Sequence, residues 1–494
     1  MASGTIISSE RLSASNVVRA THAASLPTYD RTGVRRGLVH LGLGAFHRAH
    51  QALYTDALVA NGDLRWGILG VSLRDARVSE TLTAQDNLYS VTERHGDEAH
   101  TRVVGVLKGA LFARNDLAKV IAAIADPLVS IVTSTVTEKG YNQDPASADL
   151  DVGDADVRHD IENPDVPRTT LGVLAAGIRH RPASAPLTLV CCDNMAGNGD
   201  TLRKLLVQYT SLFDTGLARR IEAEIGCPNS MVDRIVPAAT PNSLQWAAAR
   251  LGLRDEAAIV CEPFTQWVLE DRFAGTRPAW EDAGALLTSD VRPFQAMKLR
   301  LLNGTHSALA YAGQLCGLET VADAMANPLV GAFARRLMLE DLCATVSPPP
   351  GYDVTSYCHD LLKRFENPTL QHRTQQIAMD GTQKIPVRWL PALRESLALG
   401  IERPVLERAL AGWLHYVAIG RDDNGTPLVI NDPGAEALAS LLRQAGSDFN
   451  AASAALSHRP VFGTQTWPPD FVERLAGHLS TLRHSGMTGL LSPN

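Results

Sequence analysis

The sequence predicts an α/β protein, with an N-terminal doubly wound domain on a parallel sheet followed by a mostly α-helical C-terminal domain. Three observations predict it. Short apolar runs that end in glycine or turn residues alternate with helical patterns through the first half of the chain. From about Pro293 onward strand-like runs become scarce, and Leu/Ala-rich segments with helical spacing dominate. The 494 residues exceed what one hydrophobic core serves, so this change of pattern marks a domain boundary. Domains are expected at 1–290 and 291–494.

The elements follow in order. Gly37-Leu38-Val39-His40-Leu41-Gly42 is a buried strand stopped by a turn. A helix is expected from Ala45 to Val59, with Ala49, Leu53, Ala57 and Leu58 on one face, and Trp66–Ser72 is a second strand. Strand, helix and strand within about 35 residues form the βαβ unit of a parallel sheet. Further strands are expected at Val129–Thr133 and Leu187–Cys191, with helices near 115–125, 168–181 and 200–213. Extended stretches near 88–94 and 101–107 add strands or a flap. In the second half, helices are expected over 298–317, 325–345, 403–419, 433–445 and 470–483, with Pro348-Pro349-Pro350 in a loop.

Composition removes several classes of function. A net charge of -7 lacks the basic footprint of a nucleic-acid binder. No run of 18 apolar residues spans a membrane, and the Ser/Ala-rich start has no apolar signal core. Seven cysteines with no C-x-x-C pair argue for reduced thiols rather than a disulfide framework or zinc ribbon. A cytoplasmic monomer or small homo-oligomer is expected, with a small-molecule partner.

Gly42-Leu43-Gly44-Ala45-Phe46-His47 carries two of the three glycines of a Rossmann-like dinucleotide fingerprint. The first permits a tight turn and the second lets backbone approach a pyrophosphate. His47 takes the third position. Leu41 through Phe46 form the candidate cofactor cradle, with Arg48 as a phosphate or packing contact. His47 and His50 lie three apart, but no third ligand of recognisable spacing follows, and no metal is assigned. After the second strand, Asp75 suits the ribose hydroxyls of NAD, while Arg74 and Arg77 suit the 2′-phosphate of NADP. NAD is favoured and NADP is left open.

Several segments carry a resemblance. They are Gly42-Leu-Gly-Ala-Phe-His-Arg-Ala-His-Gln51, Thr135-Val-Thr-Glu-Lys-Gly-Tyr141, Cys192-Asp-Asn194, Met231-Val-Asp-Arg234, Cys261-Glu-Pro-Phe-Thr-Gln-Trp267 and Lys298 through His306. In that order, over most of 37–400, they resemble the polyol-specific long-chain dehydrogenases. The resemblance implies a metal-independent, NAD-dependent oxidoreductase acting on the CH–OH group of a sugar alcohol or sugar acid. It adds Thr135 and Glu138 to the cofactor residues and Asp233 to the substrate residues. It also implies that Lys298 is the acid/base, that Asn194 and Asn303 form the oxyanion site, and that His306 binds and orients substrate.

The residue types suit that chemistry. Reducing a ketone builds negative charge on its oxygen, which calls for a proton donor and hydrogen-bond donors aimed at it. Lys298 can supply both charge and proton, and it returns as base if burial or neighbouring cations bring its pKa well below about 10.4. On an α-helix Asn303 would lie about 140° round from Lys298, with His306 about 80° away, so all three fit one half of the helix. Glu138–Tyr141, Lys298-Leu-Arg300, Asp233–Thr240 and His372–Lys384 look closer to the fructuronate-reducing branch than to mannitol enzymes. A carboxylate substrate needs a cation, and Arg373 and Lys384 are the first candidates, with Lys139 and Arg300 behind them. Gln295 stands where members often carry an acid, which leaves the proton path open. The leading expectation is reversible reduction of fructuronate to mannonate. The alternatives are polyol–ketose interconversion and a non-catalytic nicotinamide sensor, and the joint presence of Lys298, Asn194, Asn303 and His306 argues against the sensor.

Overall fold

The computed structural model describes residues 10–21, 23–144 and 147–492. They divide into two compact units, Met1–Arg292 and Pro293–Asn494. The first is built on five strands, β1 (Arg36–Leu41), β2 (Gly67–Ser72), β3 (Leu107–Phe112), β4 (Ile131–Ser134) and β5 (Thr188–Cys191). All neighbours run parallel, in the order β3-β2-β1-β4-β5. This is the Rossmann arrangement, whose direction of progression reverses between β1 and β4.

Side chains alternate between two cores. Leu38, Ile68, Ile131 and Val190 face one, with helix Gln51–Ala60. Val39, Leu41, Leu69, Val71, Val132, Leu189 and Cys191 face the other, under helices Ala113–Ala125, Thr170–His180 and Asn198–Ser211. A sheet covered on both faces needs apolar residues at every position, which is why its inner strands read as continuous apolar runs. β3 is an edge strand with mostly half-buried residues, so it carries no such run. The helix expected over 45–59 is two helices, Ala45–Ala49 and Gln51–Ala60, broken at His50. The stretches near 88–94 and 101–107 form an antiparallel hairpin, Tyr89–His95 with Glu98–Val104, inside a separate four-stranded sheet. A third sheet joins Ser230–Asp233, Gln266–Glu270 and Leu286–Thr288.

The second unit is helical. Its central helix, Gly304–Leu315, is buried at every residue except Gln314. Such a helix must be small or apolar all round. Gly304, Ala308, Ala310, Ala312 and Gly313 let its neighbours approach closely. The segment expected to be one helix over 298–317 is interrupted, since Lys298–Asn303 is a π-helix between α-helices Arg292–Met297 and Gly304–Leu315. A second π segment, Leu337–Leu342, packs near it. Among the described residues, no helix is long and apolar enough to cross a membrane.

Arg181 ties the first unit's loops together. It is buried, and its five N–H groups donate to five carbonyls, those of Ile124, Asp126, Val129, Ala185 and Pro186, at 2.6–3.0 Å. These carbonyls end helix Ala113–Ala125 and precede β4 and β5, so one guanidinium closes the backbone accounting at the bottom of the sheet. Arg181→Met should leave all five carbonyls without that donor and cost about 3 kcal/mol or more. Urea denaturation of the variant measures this, and an unchanged midpoint would refute the tie.

Candidate active site

At the C-terminal end of β1 the chain turns at Gly42, whose φ is +96°. A Cβ there would lie 2.1 Å from the Thr135 carbonyl oxygen, so only glycine fits. The Gly42 carbonyl accepts from Gly44 N at 2.6 Å, Thr135 Oγ1 at 2.9 Å and His40 Nε2 at 3.1 Å. A carbonyl only accepts, so His40 carries its proton on Nε2, and its Nδ1 accepts from the Thr133 hydroxyl at 2.7 Å. Burial pushes the His40 pKa down to about 3, which keeps the ring neutral. Buried His47 stacks on it, ring centroids 3.3 Å apart.

The turn opens on a cleft of about 980 Å³. Gly42, Leu43 and Gly44 line one side, Ser72 through Asp75 a second, and Thr135 through Thr137 a third. These are the C-terminal ends of β1, β2 and β4, where a sheet of this order holds ligands. Arg74, Arg114, Lys139 and Arg168 also line it. Asp75 is paired with Arg77 at 2.6 Å. Thr137 has φ +69°, an outlier for a β-branched residue. Asp193 holds that strained wall, accepting from Val136 N at 3.1 Å, Thr137 N at 2.8 Å and Tyr141 Oη at 2.6 Å.

Other expected cofactor residues fall elsewhere. Leu41 is buried in β1, and Ala45 and Phe46 pack against the core of the first unit. Arg48 takes the packing role, one of the two open to it. It is buried, donates to the Ala257 carbonyl at 2.6 Å and lies over the Tyr89 ring, so its charge is spent on packing rather than on the cleft. Glu138 opens a short 3-10 helix, Glu138–Tyr141, and its side chain lies outside the described residues. Lys139, expected to meet a substrate carboxylate, lines the cleft instead. Asp233 is buried at the end of its strand, and Asn194 follows β5 in an exposed bend.

In the second unit, Lys298, Asn303 and His306 are all buried. The π turn changes their expected geometry. The Gly304 N–H donates to the Leu299 carbonyl, five residues back. A turn closed by such bonds brings residues five apart almost above one another. Lys298 and Asn303 therefore share one face, and His306 follows one α-turn later. Asn303 Nδ2 and His306 Nε2 are buried with no hydrogen-bond partner among the described residues. Burial lowers the His306 pKa well below 6.5, and His372, Arg388, Arg364 and Lys384 add to the effect. His372 meets the His306 ring edge-on at 4.9 Å, and Phe365 stacks on it at 5.2 Å.

The expected substrate cations separate. Lys384 donates to the Ile377 carbonyl at 3.2 Å, and its charge acts on both His306 and His372. Arg373 has an exposed side chain, while its backbone bridges to Thr320. Arg300 is a correction, because its guanidinium is held by Glu395 at 2.5 and 2.7 Å and by the Thr345 carbonyl.

Residues 36–282 match the mannitol dehydrogenase Rossmann domain, and residues 290–483 match the mannitol dehydrogenase C-terminal domain. The chain belongs to the mannitol dehydrogenase family. It is an oxidoreductase of that family, similar to D-mannonate oxidoreductase of Escherichia coli (42% identity, covering 84% of this chain and 87% of the relative). It is also similar to mannitol 2-dehydrogenase of Cereibacter sphaeroides (39% identity, 86% and 90% covered). A solved Pseudomonas fluorescens mannitol 2-dehydrogenase, in ternary complex with NAD and D-mannitol, superposes with a TM-score of 0.90 at 35% identity, covering 97% of this chain and 98% of that one.

Within this family member, sequence reasoning passed over His40 and Asp193, although both stand inside quoted segments or beside them. Their signal was polarity where a fully buried strand or its end should be apolar, which calls for a hydrogen-bonding reason. The buried histidines also fix a pH dependence. His40, His47, His306 and His372 have pKa values below the ordinary 6.5, His372 near 4. Above pH 6.5 folded and unfolded states are both neutral at these sites. Below it the unfolded chain takes up protons that the folded chain refuses, so stability falls as pH falls from 6.5 toward 4. Melting temperatures across that range should decline, and His372→Gln should make the decline shallower. An equally steep decline in that variant would contradict the assignment.

Proposed function

We propose that this oxidoreductase reversibly reduces D-fructuronate to D-mannonate with NADH. Residues 1–290 would hold the dinucleotide and residues 291–494 would supply the acid/base and the substrate contacts. The observation that carries the reading is the face of the helix at Lys298. It keeps two buried polar nitrogens, the Asn303 Nδ2 amide donor and His306 Nε2, without a hydrogen-bond partner among the described residues, beside a concentration of positive charge from Arg364, Lys384 and Arg388. Leaving a buried donor unpaired costs about 1–3 kcal/mol, which a protein tolerates where a ligand completes the set. Positive charge next to those nitrogens suits a sugar acid better than a neutral polyol.

The cleft at Gly42 fits a dinucleotide. Its volume is of the right order, and backbone is exposed where a Cβ could not stand. Asp75 would accept from the ribose, Thr135 and the Gly42–Gly44 turn would carry the pyrophosphate, and Lys139 and Arg168 would add positive charge along the wall. When bound, the nicotinamide supplies or takes up the hydride. Lys298 holds the proton given to the carbonyl oxygen and recovers it from the alcohol in reverse. Asn303 donates to the oxygen as its charge grows, and neutral His306 orients the hydroxyls. Lys384 receives the carboxylate, with Arg373 as a second cation. The polyol reading has its own support in the mannitol-bound relative.

A panel of fructuronate, tagaturonate, fructose and xylulose, each with NADH and NADPH, tests the substrate. Fructuronate with NADH should give the highest kcat/KM, and a preference for fructose would sink the sugar-acid reading. Lys298→Ala should abolish turnover while NADH still binds. Lys384→Met and Arg373→Ala should raise the KM for fructuronate far more than for fructose, and equal effects would remove the carboxylate assignment. His40→Leu should weaken NADH binding about tenfold, measured by fluorescence titration, because the Gly42 carbonyl loses a donor.

A further inference from the structure

The helix that carries Lys298 contains one residue more than an α-helix of the same span. π turns are rare and bond less well than α turns, so the extra residue needs something to hold it in place. Two side chains from helix Gly381–Arg388 and its end reach the point where the π turn becomes α again. Trp389 Nε1 donates to the Gly304 carbonyl at 2.9 Å. Arg388 donates to Ser307 Oγ at 2.8 Å and to the Asn303 carbonyl at 3.3 Å. Trp389 is fully buried, so its N–H has a fixed direction.

Gly304 completes the contact. A Cβ on it would lie 3.3 Å from Leu342 Cδ1, tighter than usual, and 3.4 Å from Trp389 Nε1, already at van der Waals contact, so no larger side chain fits without moving the indole. Leu342 ends the second π segment, so the two irregular turns pack at this glycine. The small residue therefore leaves the indole in contact with the helix backbone, where it bonds the carbonyl.

We propose that Trp389, supported by Arg388, is a positioning residue that fixes the register of the π turn and so keeps Lys298 on the face of Asn303 and His306. If the extra residue were squeezed out or moved past Lys298, the lysine would swing about 100° around the helix axis while helix Gly304–Leu315 stayed in place. The acid would then miss the donors it works with. This inference rests on the reading of Lys298 as the acid/base, and its test separates the two.

Trp389→Phe keeps the ring and removes the N–H. In the full-length protein its kcat on fructuronate should fall about 10- to 100-fold, the usual size of a misplaced catalytic group. KM and the NADH dissociation constant should change little, and the apparent pKa of the kcat–pH profile should move as Lys298 changes surroundings. Gly304→Val carries methyl groups beyond that Cβ, displaces the indole from the other side and should reproduce that pattern, which keeps the test open if Trp389→Phe does not fold. Lys298→Ala is measured in parallel. If both positioning variants keep the parent kcat and pH profile while Lys298→Ala is inactive, the acid/base reading stands and the positioning role is overturned. A kcat loss matched by equal loss of NADH-binding protein, with an unmoved pH profile, marks a structural role and also overturns it. If Lys298→Ala keeps full turnover, both readings fall.

Discussion

The first unit depends on one close approach. Gly42 passes the Thr135 carbonyl with no space for a Cβ, and this happens where the sheet's progression reverses between β1 and β4. The backbone can leave β1 there only by turning at once, and the turn creates a buried carbonyl that must be satisfied. Gly44, Thr135 and His40 satisfy it. His40 in turn requires Thr133, and His47 covers it. A polar chain thus runs beneath the floor of the cleft, built from residues that an ordinary buried strand would make apolar. Burial keeps its histidines neutral, which suits a scaffold that must hold its shape over the working range of pH.

The second unit solves a different problem. Its Lys298–Asn303 segment leads into a helix buried almost all round, so the helix cannot turn a polar face to solvent to accommodate Lys298, Asn303 and His306. The π turn places them together on one side, and the rest of the helix stays small and apolar. Cations gather near His306, Arg364 buried and Lys384 and Arg388 half-buried, and Lys384 donates to the Ile377 carbonyl. Arg300, on the π turn itself, is held by Glu395.

Much of the architecture was legible because its physical causes are local. Parallel strands buried on both faces read as apolar runs, and β1, β2, β4 and β5 were found that way. β3 escaped because an edge strand is only half buried and its composition is mixed. The hairpin at Tyr89–Val104 showed as extended chain, but which sheet it joined depended on pairing with Ile259–Cys261, far away in sequence. Arg48 and His40 were exchanged in importance for the same reason. Near a glycine turn an arginine suggests phosphate, yet the Ala257 carbonyl and the Tyr89 ring, both distant in the chain, claim it.

The sequence by itself determined the alternation of strand and helix, the glycine at Gly42, the family motifs and the chemical identity of Lys298, Asn194, Asn303 and His306. These follow from side-chain period, backbone freedom and functional-group chemistry, each of which is written residue by residue. The tertiary structure alone decided which cations gather near His306, which polar groups go unsatisfied among the described residues, and whether Lys298 faces Asn303. Those outcomes depend on partners remote in the chain, Glu395 for Arg300 and Trp389 for Gly304. A helical period of 3.6 cannot reveal a π turn, because the extra residue is held in place by packing rather than by the preference of any residue in it.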